Sequence, residues 1–456
     1  MLRSQEQYLT EWMAKSPRKP LVIRGARQVG KSTLVRRFAE RSGLTLHEVN
    51  LERQPHLRAA FESMDVHRIL TEVEFIARKG PITGCNGLLF LDEIQAIPAA
   101  LSALRYFYED APALPVVAAG SLLEFALADT RYSMPVGRIR YLFMGPMSFE
   151  ETLRAHGDID LLSWLSAWTP DQDVPLTAHQ RLVERLRSYL VVGGMPEVVS
   201  LSIASGLGGC QEAQDGILET YRDDFPKYRG TGSADTLLRA YEYLQRHVGE
   251  KVKYANIDRD AQSRSVRRAV ELLFKAHIAF PVQRTSATGL SLAAGLDARV
   301  YKSYFLDCGL VARASGITWI DDATLWSTAF LNRGPLAEQF VAQHLWASQA
   351  HGRRPELWYW LREGRSNNAE LDFVMEHAGK NIVPIEVKAG KSGTMKSLFH
   401  FAASKHTELA LRFDLNLPSL VQARHVISEG DVNLRLLSLP LYMVEQARRL
   451  LGVSQP

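Results

Sequence analysis

Several kinds of chemistry are absent from this sequence. Cysteine is scarce: Cys85, Cys210 and Cys308 lie far apart and form no CxxC pair. A disulfide framework and a zinc knuckle are therefore both excluded, and the pattern fits a reducing compartment. The 13 histidines show no HxxxH or HExxH spacing, so a zinc hydrolase has no support. No apolar run approaches the ~20 residues of a membrane-spanning helix. The most apolar stretch, 112–128, is broken by Gly120, Ser121 and Glu124. The N-terminus carries Glu6 and Glu11 and no apolar core of a signal peptide. A cytoplasmic protein without a membrane partner is the expectation. Neither sign of charge dominates, since 54 Lys and Arg face 50 Asp and Glu for a net charge of +4. Nucleic-acid contact is permitted by that balance without being demanded. What remains is an ordinary globular composition, 46% hydrophobic over 456 residues. At ~150 residues per domain this length suggests about three domains.

The first positive signal follows a short apolar strand, 20–25, that comes after a helix over 4–15. It is the turn Gly25-Ala-Arg-Gln-Val-Gly30-Lys31-Ser32, which satisfies G-x-x-x-x-G-K-[ST] at every fixed position. Gly25 and Gly30 let the backbone turn its N–H groups toward phosphate oxygens. The helix that follows, 31–40, adds its N-terminal dipole. Lys31 is placed to reach the β- and γ-phosphates, and the Ser32 hydroxyl to ligate Mg²⁺. Gly25, Ala26, Arg27, Gln28, Val29, Gly30, Lys31, Ser32 and Thr33 are thus the expected ATP-binding residues.

Gly87-Leu-Leu-Phe-Leu91 is an unbroken apolar strand of the kind buried on both faces of a parallel sheet, and it ends in Asp92-Glu93. Asp92 is expected to hold Mg²⁺ and Glu93 to act as the base that polarises the attacking water. In sequence, a strand at 44–51 lies between loop and acidic strand, and strands at 115–121 and 139–144 follow. An extra strand between phosphate loop and acidic strand marks the ATPase branch that uses a catalytic glutamate. Ser121 stands where a polar sensor of the γ-phosphate is placed. Arg138 reads either as a phosphate-sensing or finger arginine or as an ordinary surface residue.

Residues 18–150 resemble the AAA+ ATPases. Arg24-Gly-Ala-Arg-Gln-Val-Gly-Lys-Ser32, Phe90-Leu-Asp-Glu-Ile-Gln95 and Gly137-Arg-Ile with Pro146-Met-Ser-Phe-Glu150 resemble, more narrowly, a prokaryotic family of predicted ATPases with a C-terminal DUF4143 domain. The similarity continues through Gly193-Gly-Met-Pro-Glu197, Tyr304-Phe-Leu-Asp-Cys-Gly-Leu310 and Arg333-Gly-Pro-Leu-Ala-Glu338. It implies an α/β chain with ATP and Mg²⁺ as cofactors, and a homo-oligomer if a neighbouring subunit supplies an arginine.

In the middle of the chain, 157–175 is rich in Trp, Asp and Pro and reads as a variable connection. A helix over 176–189 is broken at Gly193, Gly194 and Pro196. Helices at 235–247 and 263–276 flank a polar stretch at 254–257, and a strand follows at 278–282. That order is the order of a winged helix, with Arg264, Arg267 and Arg268 placed for DNA. The competing reading makes Val266, Val270, Leu272 and Leu273 a packing face and the arginines its solvated back.

The last third carries Glu370-Leu-Asp372-Phe-Val and then 381–388, two alternating strands joined by a turn at 377–380. Glu386 and Lys388, two apart, share one face, and Asp372 sits on the neighbouring strand. One Asp, one Glu and one Lys converging is what a Mg²⁺-dependent phosphodiester nuclease uses. Asp372 and Glu386 are then the metal ligands, with Lys388 orienting the attacking water. The order resembles the PD-(D/E)XK nucleases, and the resemblance implies that Glu338, on a helix over 336–345, completes the metal site. Leu371 stands where that family commonly has proline. An exposed Glu–Lys pair across a hairpin is the plain alternative. The Glu-Leu-Trp-Tyr-Trp of 356–360 reads as a first strand packing a core, and a helix is expected at 394–405.

The expected organisation is α/β: an N-terminal P-loop AAA+ domain with a parallel sheet (1–190), a helical and winged-helix section (191–320), and a PD-(D/E)XK nuclease-like domain (321–456). Two functions compete. One is ATP-driven action on DNA or RNA through the nuclease-like domain, and the other is a nucleotide-dependent switch or scaffold whose C-terminal domain only binds a partner.

Overall fold

The computed structural model describes residues 1–82, 86–121, 123, 135, 137–227, 234–287, 291–317, 334–362, 369–377, 379, 381–389, 395–427 and 430–453. Cys85, Ala378 and Lys380 of the sequence-level expectations lie outside these residues.

Five strands form the first sheet: β1 (Leu21–Arg24), β2 (Thr45–Asn50), β3 (Gly87–Asp92), β4 (Val116–Ala119) and β5 (Arg140–Phe143). Their order is β2-β3-β4-β1-β5, and every neighbouring pair is parallel. The strand that separates β1 from β3 in space is therefore β4, whereas β2, which lies between them in sequence, is at the edge. β3 is buried along its whole length because its alternate side chains enter two cores. Leu88 and Phe90 join the core beneath the helix Lys31–Arg41, while Leu89 and Leu91 join the one beneath Pro98–Asp110.

The expected connection at 157–175 holds a helix, Ile159–Ala167, whose Leu161, Leu162 and Leu165 are buried. Those apolar spacings were masked by Trp164 and by the polar residues around them. The helix Leu176–Val192 ends at Gly193, followed by helices Pro196–Ser205 and Cys210–Asp223. Ala234–Arg246, Tyr254–Ile257 and Ser263–Lys275 then form a bundle, in which Val266, Val270, Leu272 and Leu273 face inward.

The strands after this bundle do not stand apart as a wing. β6 (Ala279–Thr285) and β7 (Leu296–Phe305) pair with each other and enter an eight-stranded mixed sheet. With β8 (Leu357–Arg362), β9 (Ala369–His377), β10 (Asn381–Val387), β11 (Leu409–Asp414), β12 (Ser419–Ile427) and β13 (Gly430–Pro440), the order is β12-β13-β11-β10-β9-β8-β6-β7. The sheet thus draws on residues on both sides of position 321. One face packs on the helix Gly334–Ala347 through Phe340, Phe373 and Ile385. The other packs on Lys396–Lys405 through Trp358, Trp360, Leu398 and Phe401, so the two tryptophans serve the core.

The two sheets are joined at a buried knot. Gly194 donates its N–H to Asp307 Oδ2 at 2.7 Å, while its carbonyl accepts from Met147 N at 2.6 Å. Gln343 Nε2 donates to the Tyr189 hydroxyl, which itself donates to the Met147 carbonyl. A Cβ on Gly193 would stand 2.0 Å from Asp307 Oδ1, and one on Gly194 2.0 Å from the Met147 carbonyl oxygen. The glycines of this motif are needed for close approach.

Candidate functional site

The phosphate loop bends where its sequence requires. Gly25 has φ 152°, Gln28 63° and Gly30 94°, positive backbone values that favour glycine, which stands at two of the three positions. At Gly25 a Cβ would fall 2.1 Å from the Met144 carbonyl oxygen, so only glycine fits. Ala26 and Val29 are buried and anchor the loop, while Gln28 and Thr33 are exposed. The Lys31 ammonium, 8% exposed, donates to the Gly25 carbonyl at 3.0 Å and the Ala26 carbonyl at 2.6 Å. Burial lowers its pKa to about 8, against the pull of Glu93 and Asp92.

Ser32 Oγ donates to Asp92 Oδ2 at 2.9 Å, which ties the first helical turn to the tip of β3. Burial raises the Asp92 pKa, the Ser32 bond opposes the shift, and Glu93 reinforces it. A hydroxyl facing a buried carboxylate beside a phosphate loop is a donor set that suits Mg²⁺. Glu93 sits in the left-handed region at φ 49°, and its carboxylate accepts from Gln95 Nε2. Gln95 also reaches toward the end of β4, where a Cβ on Gly120 would stand 2.2 Å from its Oε1. Ser121 Oγ, just beyond, is buried without a hydrogen-bond partner among the described residues. Arg138 is at the surface, bound to Glu109 at 3.2 Å and over the Tyr108 ring at 5.7 Å.

Three supports of the loop escaped the sequence reading. Arg3 donates to the Val29 carbonyl at 2.9 Å and pairs with Glu151 at 2.8 Å. Arg27 pairs with Asp224 at 2.6 Å, and the Tyr221 hydroxyl donates to the Arg27 carbonyl at 3.0 Å. No motif marks these residues, because each comes from a distant element.

The second cluster lies on the eight-stranded sheet. Asp372 and Glu386 share it with Glu338, and Lys388 binds Glu386 Oε1. Asp372 Oδ2 accepts from Val387 N at 2.7 Å, and Glu338 Oε2 from the Tyr304 hydroxyl at 3.0 Å. Burial and the Asp372 charge push both Glu338 and Glu386 up to about 7. Two further members were not foreseen. Glu370 is two residues before Asp372 and was within reach of the same alternation rule. Lys302, on β7, was not, because that strand went unrecognised. Its ammonium lies 2.7 Å from Glu370 and 4.0 Å from Asp372, and Lys251 pairs with the other Glu370 oxygen at 2.9 Å. Among the described residues no three His, Cys, Asp or Glu side chains are arranged to hold a metal ion. With an ammonium among these carboxylates and most of their oxygens engaged by a lysine, a hydroxyl or an amide, these residues do not fit a divalent cation as they stand.

Comparison with known proteins finds three family matches along the chain. Residues 17–153 match the AAA domain family, residues 183–321 a domain of unknown function, DUF8612, and residues 333–439 a domain of unknown function, DUF4143. The chain therefore carries an AAA-type ATPase domain. More particularly, a DUF4143 domain stands toward the C-terminus of the same chain. No curated protein matches it. Similar solved structures include the Walker-type ATPase PABY2304 of Pyrococcus abyssi, 16% identical over 68% of this chain and 94% of that one, with a TM-score of 0.40. The ORC2 protein of Aeropyrum pernix is 12% identical over 69% of this chain and 94% of its own, with a TM-score of 0.33. PCH-2 of C. elegans is 12% identical over 43% and 56%, with a TM-score of 0.25. Among the described residues no helix is long and apolar enough to cross a membrane.

Proposed function

We propose that this chain binds ATP with Mg²⁺ between the loop 25–33 and the tip of β3, and hydrolyses it. The observation that carries the reading is the 2.9 Å bond from Ser32 to Asp92, with Lys31 and Glu93 on either side. Ser32 and Asp92 would hold Mg²⁺, whose charge would offset that of the phosphates. Lys31 gives up its loop carbonyls for phosphate oxygens. Glu93, held by Gln95, orients the attacking water and takes its proton. Ser121 is the polar contact near the γ-phosphate. Titration calorimetry and a phosphate-release assay test this. Lys31→Ala is expected to weaken ATP binding at least ~10-fold, and Glu93→Gln to retain binding while turnover falls ~100-fold. Wild-type turnover in Glu93→Gln would show the base to be misassigned.

Two readings concern what the ATP state controls. Metal-dependent cleavage of DNA or RNA draws support from Asp372, Glu386 and Lys388 meeting Glu338 of the helix Gly334–Ala347 at the second sheet, with the exposed Arg264, Arg267 and Arg268 as a nucleic-acid contact. A switch that binds a partner without cutting draws support from Lys302 among those carboxylates, and this is the reading we favour. Incubation of the full chain with DNA and RNA in Mg²⁺ or Mn²⁺ separates them. No cleavage by the ATP-hydrolysing protein is expected, and cutting that Lys388→Ala abolishes would restore the nuclease.

A further inference from the structure

The carboxylate cluster of the second sheet brings together Glu338, Glu370, Asp372 and Glu386, four acids, with Lys251, Lys302 and Lys388, three ammonium groups. Lys302 differs from the other two lysines. Its side chain is 5% exposed, against 34% for Lys251 and 29% for Lys388. It reaches in from β7 and is faced by Asp372, Glu338 and Glu370 together, with the Tyr359 ring 5.3 Å from its nitrogen. A buried ammonium is tolerated only where carboxylates surround it.

We infer that Lys302 is the resident cation of this cluster and stands in the place a divalent metal would take, so that the native site binds no metal. This sharpens the non-cutting reading above and rests on it. The oxygens left to a metal once Lys302 is removed can be named. They are Glu370 Oε1 and Asp372 Oδ1, which now face the ammonium at 2.7 and 4.0 Å, and Glu386 Oε2, which is buried without a hydrogen-bond partner. A divalent ion on these atoms would sit beside the Lys302 charge in a region sheltered from water, and the repulsion between them would be poorly screened. With the ammonium gone, the same carboxylates become an oxygen donor set of the kind hard cations take.

The test uses the full chain, free of nucleotide, with Mn²⁺ alone as probe, followed by electron paramagnetic resonance and calorimetry. Binding is assigned to the cluster when Glu386→Gln removes it. Wild type is expected to bind no Mn²⁺ there. Lys302→Met is expected to gain one Mn²⁺ per chain, which Glu386→Gln in that background abolishes, and to melt at a higher temperature with Mn²⁺ than without. Lys302→Met/Glu370→Gln withdraws one charge of each sign, so it folds even if the single variant does not, and it is expected to gain the same ion. Wild-type Mn²⁺ binding that Glu386→Gln removes, or a folded Lys302→Met protein that gains none, overturns the inference. ATP turnover measured on the same preparations reports on the phosphate loop, so failure there is told apart from failure here.

Discussion

At the scale of single residues, the sharpest constraints fall on glycines that let distant backbones touch. Gly193 has φ 75°, and a Cβ on it would lie 2.0 Å from a carboxylate oxygen of Asp307. Asp307 is fully buried and receives N–H groups from Gly194 and Leu310, so it has no room to withdraw. Gly193→Ala is accordingly expected to cost about 3 kcal/mol, from a steric clash added to left-handed strain. Gly43 is the control: φ is 64°, but nothing lies within 4 Å of its would-be Cβ. Gly43→Ala should cost only about 1 kcal/mol, the left-handed penalty alone. Urea denaturation of both variants checks the contrast, and equal losses would show that close approach to Asp307 is unimportant. The sequence made Gly25 and Gly30 readable because spacing and chemistry are local there. It marked Gly193 and Gly194 as helix breakers and held Asp307 within a family motif, but nothing local showed that they meet across the 113 residues beyond Gly194.

At the scale of elements, the helix Phe149–His156 and the helix Gly334–Ala347 are pinned by one imidazole. His344 Nε2 accepts from Phe149 N at 2.8 Å, and Nδ1 donates to the Phe340 carbonyl at 2.7 Å. Both ring nitrogens are thereby committed in the neutral form, and a second proton would have to displace the Phe149 bond. Burial is the main reason that its pKa falls from 6.5 to about 4. The sign follows from linkage. The unfolded chain takes up the proton below 6.5 and the folded chain only near 4, so stability is intact at neutral pH and drains away as pH falls between those values. The loss approaches about 3 kcal/mol at the lower end. His344→Gln should be less stable at neutral pH yet show a shallower decline, measured by denaturation at a series of pH values. Parallel slopes in the two proteins would remove His344 from the account. Elements with a strong local signature, such as β3 and the helix after the phosphate loop, were legible in advance. Sheet order was not: that β4 lies between β1 and β3, or that β6 and β7 extend the second sheet, is decided by packing between segments that no local pattern connects.

At the scale of the whole molecule, one helix touches both the nucleotide loop and the second half of the chain. Cys210–Asp223 meets Arg27 through Tyr221 and, just past its end, Asp224. Near its middle Asp215 takes a two-pronged bond from Arg313, at 2.7 and 2.6 Å, on the helix Cys308–Ala314. That helix begins at Asp307, whose carboxylate also meets Gln343 at 3.3 Å beneath the second sheet. Any shift of Arg27 as phosphate enters the loop therefore bears on a helix with a bidentate joint about two turns away. The measurement that tests this is amide hydrogen exchange of the full chain with and without ATP, on the Glu93→Gln background so that nucleotide persists. ATP is expected to change protection in 210–223 and in 308–314 as well as in the loop. Asp224→Ala should leave the loop's own protection responsive to ATP while abolishing the response at 308–314. A response at 308–314 that survives Asp224→Ala would mean that the signal bypasses this helix, which would then be no more than a buttress for the loop.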